Sequence, residues 1–300
     1  MTPSLTIGVT TRNRPAALAR CLESLGAIVP LAPEILVFDD GSDPPATASG
    51  APDVPVRIIR DASSPGYIRG RNRLAREAAA PFVLLLDDDT RMLSLASVER
   101  AMAVLQSDPS VGAVAFAQAE ADGRPWPAQM QAARAEFPCV VPSFIGFAHM
   151  LRRDLFLSLG GYREAFEFYG EEKEYCLRLI ESGHRTVYLP DALVSHLIDP
   201  GGRSVTRYLR FVSRNDCLNA LYNDPLPRVL WTVPLRYALY FRMRHGWKIH
   251  DPGGAWWLAR EVVRSVPRVL PDRRPVSRAT LRRWRALRET PERYEVRRAG

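Results

Sequence analysis

Phe82-Val83-Leu84-Leu85-Leu86-Asp87-Asp88-Asp89-Thr90 runs five apolar residues straight into three carboxylates. An apolar run of this length suits a strand buried on both faces, as in a parallel sheet covered by helices. The acids then sit where the strand emerges, and ligands of open α/β sheets bind at the carboxyl ends of strands. Adjacent carboxylates raise one another's cost of ionising. A hard cation among them removes that cost, and an oxygen cluster suits Mg²⁺ or Mn²⁺. Extended backbone would point Asp87 and Asp89 to one side and Asp88 to the other. A turn beginning at Asp88 would break that parity. Alone, the stretch reads equally well as an acidic turn that ends a strand.

Working outward, other strand ends carry polar groups too. Leu5–Val9 is apolar enough for a central strand and leads into Thr10-Thr11-Arg12-Asn13-Arg14-Pro15. Asn13 is a candidate helix cap and Pro15 suits a first helical turn. Ile35–Phe38 ends in Asp39-Asp40-Gly41-Ser42, and Val56–Ile59 is a third short strand. Ile68–Ala79 reads as a helix with Arg69, Arg71, Asn72 and Arg73 near its start, where a guanidinium could reach a phosphate. After the opening strand, a helix over Leu95–Gln106 and a strand over Val111–Ala115 follow. This alternation predicts a mainly parallel α/β sheet with right-handed crossovers.

Residues 117–138 are irregular, with Trp126 and three prolines, and could cover the site. Val140–Met150 reads as a strand with Gly146 inside it. A short helix from Arg152 stops at Gly160-Gly161. A second acid cluster, Gly170-Glu171-Glu172-Lys173-Glu174, opens a helix ending near Gly183. Acids in a first turn are favoured by the helix dipole. Spacing separates them: Glu174 lies four before Arg178, the favourable order for a surface ion pair. Glu172 instead shares a face with Cys176 and Leu179, which suggests a cleft. A strand over Thr186–Leu189 follows, and then His196.

The chain of 300 residues is 46% hydrophobic and 25% charged, a globular composition. It shows no basic-then-apolar leader and no apolar run of transmembrane length, so a cytoplasmic location is expected. Cys21, Cys139, Cys176 and Cys217 are far apart and read as buried thiols rather than metal ligands. Charge is uneven. Residues 201–300 carry 22 Arg and Lys against 8 Asp and Glu, whereas the chain's net charge is +8. The first two thirds are therefore net acidic.

Together these segments resemble the family 2 glycosyltransferases, the inverting group with the GT-A fold, including bacterial rhamnosyltransferase-like members. The resemblance rests on four elements in order. They are the loop at Thr10–Arg14, the Asp39-Asp40-Gly41-Ser42 turn, the Asp87-Asp88-Asp89 cluster, and the Gly160-Gly161-Tyr162 to Arg178 segment closed by His196. It implies a GT-A catalytic domain over 1–202, with a nucleotide-binding half 1–116 and an acceptor half 117–202, and a helical Arg-rich region over 203–300. It implies that Thr10, Thr11, Arg12 and Asp40 hold the base and ribose, with Arg71, Asn72 and Asp88 also lining the donor pocket. Asp87, Asp89 and His196 would hold a divalent metal, Mg²⁺ or Mn²⁺. Glu172 would be the general base, while Gly146, Gly161 and Glu171 would shape the acceptor side. The family usually has Asp where this chain has Glu172. The implied reaction moves a hexose from a UDP- or dTDP-sugar to a hydroxyl of a glycan or a lipid-linked acceptor.

Arg228–Arg244, Trp256–Val263 and Arg282–Arg285 interleave aromatic and apolar residues with arginines. Such mixing suits an anionic membrane interface as well as a helical appendage packed on the catalytic domain. A nucleic-acid-binding protein without transferase activity is the contrasting reading, but no recognised binding motif accompanies the arginines and no nucleic acid is expected. A nucleotidyltransferase would want a Gly-rich phosphate loop, and Thr10–Pro15 contains no glycine.

Overall fold

A computed structural model describes residues 3–198 and 204–295. The opening strand is β4 (Phe82–Asp87), in the middle of a ten-stranded mixed sheet. On one side it pairs in parallel with β1 (Leu5–Thr11), which pairs in parallel with β2 (Glu34–Asp39), and that with β3 (Val56–Arg60). On its other side lies β8 (Ala148–Arg152), antiparallel to both β4 and β6 (Val111–Ala119). Beyond β6 comes β9 (Arg185–His196), parallel to it, followed by β7 (Cys139–Val141) and the C-terminal β10 (Glu292–Arg293). The short β5 (Thr90–Met92) pairs with the far end of β9.

Alternation along β4 feeds two cores. Phe82, Leu84 and Leu86 point into one face with α1 (Pro15–Ser24) and α3 (Leu95–Ser107). Val83 and Leu85 point into the other with α2 (Tyr67–Glu77), α4 (Arg153–Ser158) and α5 (Glu171–Glu181). Both faces of the strand are covered, which is why its pattern is continuous rather than alternating. Gly70 lets α2 lie close to β2: a Cβ there would sit 2.5 Å from Phe38 Cδ1.

The C-terminal region is helical, with α6 (Val205–Asn223), α7 (Val229–Gly246), α8 (Gly254–Val269) and α9 (Arg278–Glu289). Leu209, Cys217, Tyr240, Leu258 and Val262 form its own small core. Leu218 and Tyr222 of α6 pack into the main core, and β10 extends the main sheet. Arg203, the first residue of the expected helical Arg-rich region, lies outside the described residues. Among the described residues no helix is long and apolar enough to cross a membrane. All four cysteines are free and buried.

Several local expectations are corrected. The run Val140–Met150 is two strands, because residues 142–147 leave the sheet and carry Gly146 to the site. Asn13 does not cap α1. It adopts a positive φ of 53° and its Oδ1 accepts from the Asp43 N–H instead. Glu174 is not a surface group. It is fully buried and takes Arg178 at 2.6 Å and Arg163 at 2.8 Å, with Asn223 of α6 at 3.3 Å. Burial opposes its ionisation, yet the two guanidinium groups hold the carboxyl below its ordinary value. Its contribution is therefore complete above the usual glutamate pKa and lost as pH falls through the depressed one. Glu174→Ala should strand two mostly buried cations and cost about 3–5 kcal/mol, read by chemical denaturation. A loss below about 1 kcal/mol would contradict a structural role.

Candidate active site

The polar groups gather where β1, β2, β4, β6 and β9 end. β4 stops at Asp87 and a turn covers the next two acids. Ligand atoms of Asp87, Asp89 and His196 lie within 4.8 Å of one another. His196 comes from the last residue of β9, brought alongside by its pairing with Thr90 of β5. Asp88 turns the other way: Thr11 Oγ1 donates to it at 2.7 Å and Arg14 at 2.6 Å. It is buried, and burial pushes its carboxyl up to about 7 against the pull of Arg14. Asp89 is also buried, but His196 and Arg14 outweigh that burial and keep it below the ordinary aspartate value.

His196 is held in one orientation. Its ring stacks between Trp126 and Phe147, with centroids at 5.5 and 4.9 Å. Nδ1 lies 2.7 Å from Gln118 Oε1. An amide oxygen only accepts, so Nδ1 carries a proton and Nε2 is the nitrogen left facing the acids. Nε2 is buried, makes no hydrogen bond among the described residues, and faces Asp89 Oδ1 at 3.5 Å. A buried imidazole nitrogen beside two carboxylates, oriented by an outer partner, is a donor set that fits Mg²⁺ or Mn²⁺.

Arg71 of α2 links this cluster to the second acid pair. It is buried, with Nη2 2.6 Å from Asp87 and 2.8 Å from the Gly146 carbonyl, and Nη1 2.9 Å from Glu171. Tyr67 stacks on its guanidinium. Glu171 is fully buried and also receives the Tyr67 hydroxyl at 3.3 Å. Glu172 is half-buried and abuts Gly146, where a Cβ would fall 2.2 Å from its Oε1. Only a residue without a side chain fits between Glu172 and Arg71. Burial raises both glutamates above the ordinary value, with Arg71 opposing; the charge of Glu172 adds to the rise at Glu171, while Glu171 pulls Glu172 down through a hydrogen bond. Of the pair, Glu172 is the one with a side chain partly open to the cleft.

Other sequence-derived candidates fall into two groups. Thr10 is buried in register with Asp87, while Arg12 is exposed and its charge reaches the mostly buried Asp40. Asp40 Oδ1 also accepts from the Gly66 N–H at 2.9 Å. Asn72, expected to line the donor pocket, is instead buried with its amide spent on Tyr162 N–H and C=O at 2.8 Å each. It clamps the turn at Gly161, whose φ is +66°. Asp39 is likewise internal, paired with Arg60 at 2.7 Å. Sequence reasoning missed Arg14, Gln118, Tyr67, Trp126 and Phe147. Gln118 was findable: carrying the Val111–Ala115 strand on to Ala119 places it at a strand end like the other site residues.

Glycosyl transferase family 2 matches residues 6–160, more than half of the chain, and the chain belongs to that family. Its sheet and flanking helices are a GT-A fold. The structure of S. aureus TarS, 16% identical, covers 89% of this chain and 82% of that one with a TM-score of 0.60. A mannosyltransferase from Pyrobaculum calidifontis, solved with GDP-Man and Mn²⁺, is also 16% identical, and covers 97% and 88% with a TM-score of 0.56. In sequence, an N-acetylglucosaminyltransferase of Bradyrhizobium diazoefficiens is 27% identical over 235 residues, 69% of this chain. The chain spans 48–64% of the length of the curated relatives it matches.

Proposed function

We propose that the protein is a metal-dependent inverting glycosyltransferase that moves a sugar from a nucleotide-diphosphate donor, a UDP- or dTDP-sugar, to a hydroxyl of a glycan or lipid-linked acceptor. One observation carries the reading: a single buried arginine, Arg71, bonds both Asp87 of the Asp87, Asp89 and His196 cluster and Glu171 of the acid pair, beside the half-open Glu172. Asp87, Asp89 and His196 would hold Mg²⁺ or Mn²⁺, which when bound neutralises charge on the departing diphosphate. Thr10, Arg12 and Asp40 lie where β1 and β2 end, suited to the base and ribose. Glu172 takes the proton from the acceptor hydroxyl as that oxygen attacks the anomeric carbon. The sugar–phosphate bond breaks on the opposite face, so configuration inverts with no covalent sugar on the enzyme. Arg71 keeps Asp87 and the acid pair in place, and Gly146 leaves room for Glu172 beside it.

The test is a thermal-shift series of nucleotide sugars with and without Mn²⁺. A donor present at 100 times its Kd should stabilise the protein by about 2.7 kcal/mol, and only with metal. No stabilisation by any UDP-, dTDP- or GDP-sugar would overturn the reading. Gln118→Leu should weaken Mn²⁺ affinity about 10–100-fold, the usual loss for an outer partner of a metal-ligating histidine. Calorimetry with Mn²⁺ alone reads it, and an unchanged affinity would remove Gln118 from the site.

A membrane-facing role for the C-terminal region has its own support. Leu226, Leu230, Trp231, Leu235 and Phe241, in or beside α7, and Trp256, Val263 and Leu270, in or beside α8, are all exposed. Apolar rings and chains among arginines suit an anionic lipid surface. Flotation with anionic liposomes that weakens as salt rises is the expected result, and absence of flotation would end the proposal.

A further inference from the structure

A cavity of about 50 Å³ lies among α5, α6, α7 and α9, away from the cluster at the strand ends. Lys173 follows Glu172 on α5 but turns toward α6, where it pairs with Asp216 at 2.6 Å. Two buried N–H groups on residues lining the cavity have no hydrogen-bond partner among the described residues. They are Asn219 Nδ2 and Trp284 Nε1. They come from α6 and α9. Asn219 is 7% exposed, and its Oδ1 is already used by Asn223 at 3.1 Å.

Both orphans are donors, and leaving buried donors unmade is costly. The surrounding charge has the matching sign. Lys173, Arg228, Arg236 and Arg285 line the cavity against Asp216 and Asp224. Asp216 is shared between Lys173 and Arg236, the latter at 3.7 Å, and Asp224 lies 3.3 Å from Arg228. Arg285 makes no ion pair among the described residues. Two positive charges are thus left over, beside donors that want acceptors. A compact group with acceptors only and negative charge satisfies both conditions.

We propose that this cavity binds a phosphoryl group, either inorganic phosphate or the phosphate of a lipid headgroup, at a site separate from the sugar-donor cleft. Its occupant would tie α9 and the start of α7 to α5 and α6.

The probe is inorganic phosphate, titrated by calorimetry into the full chain and into Arg285→Ala, Trp284→Phe and Asp89→Ala variants. Arg285 is exposed, and Phe keeps an aromatic ring at the half-buried position 284 while removing the N–H, so both variants should fold. Saturable binding that weakens at least tenfold in Arg285→Ala and Trp284→Phe, and is unchanged in Asp89→Ala, is expected. A second arm uses co-sedimentation with phosphatidic acid–phosphatidylcholine vesicles. Vesicle binding lost in Arg285→Ala and competed by free phosphate would name the headgroup as the source. Phosphate binding without vesicle binding would name the soluble ion. No saturable binding in either arm, or binding indifferent to Arg285→Ala and Trp284→Phe, would overturn the proposal.

Discussion

Glu172→Gln should lower sugar transfer about 10²–10⁴-fold while leaving donor affinity within a factor of two. Glutamine keeps the shape beside Gly146 but cannot accept the acceptor's proton. The pH profile adds an independent readout. Burial raises the Glu171–Glu172 pair above the ordinary glutamate value, and Arg71 only partly offsets it. A base works when ionised, so transfer should climb as pH rises through that raised value. The acidic limb should therefore lie above the usual range near 4.3 and belong to the pair rather than to one residue. Loss of that limb in Glu172→Gln is expected. Turnover within threefold of the unsubstituted enzyme would assign the proton chemistry elsewhere, and Glu171→Gln would then be the next variant to measure.

Asp89→Ala should abolish metal-dependent donor binding. Removing a direct ligand must exceed the roughly 10–100-fold cost of losing an outer partner. The carboxylate is held ionised by His196 and Arg14 despite burial, so it is ready for a cation at neutral pH. Asp88→Asn separates ligand from support. Asp88 anchors Thr11 and Arg14, so its loss should lower stability with a smaller effect on Mn²⁺ affinity. Mn²⁺ titration followed by donor titration distinguishes the two. Metal-dependent donor binding that survives Asp89→Ala unaltered would remove Asp89 from the cluster.

Much of this was legible in the chain because the relevant signals are local. An apolar run ending in acids marks a strand entering a cleft, and Asp87 and Asp89 do converge even though a turn begins at Asp88. Glu172 was singled out by helical spacing, and it does face inward. What was not legible depends on distant segments. Glu174 had good surface-pair spacing, but nothing nearby in sequence announced that Arg163 would join Arg178 around it. Asn72 sat beside Arg71, but one residue of helix rotation turns it toward Tyr162 instead of Asp87. Gln118 is overlooked when the strand is ended with its apolar pattern, because Phe116 and Ala117 are followed by a polar residue buried by its contact with His196; only carrying the strand on to Ala119 finds it. The antiparallel insertion of β8 had no local mark at all, since strand direction is set by partners rather than by composition.

That insertion governs how the chain can be cut. β8, residues 148–152, pairs with both β4 and β6 and so joins them. A fragment ending at residue 116 would keep β4 with an open edge, and would deprive the beginning of β6 of both its neighbours. An edge strand reading Phe-Val-Leu-Leu-Leu is a template for edge-to-edge association. Expressing residues 1–116 by themselves should therefore yield aggregates. Reaching past β8 and β9 is the least a truncated version needs to stay monodisperse.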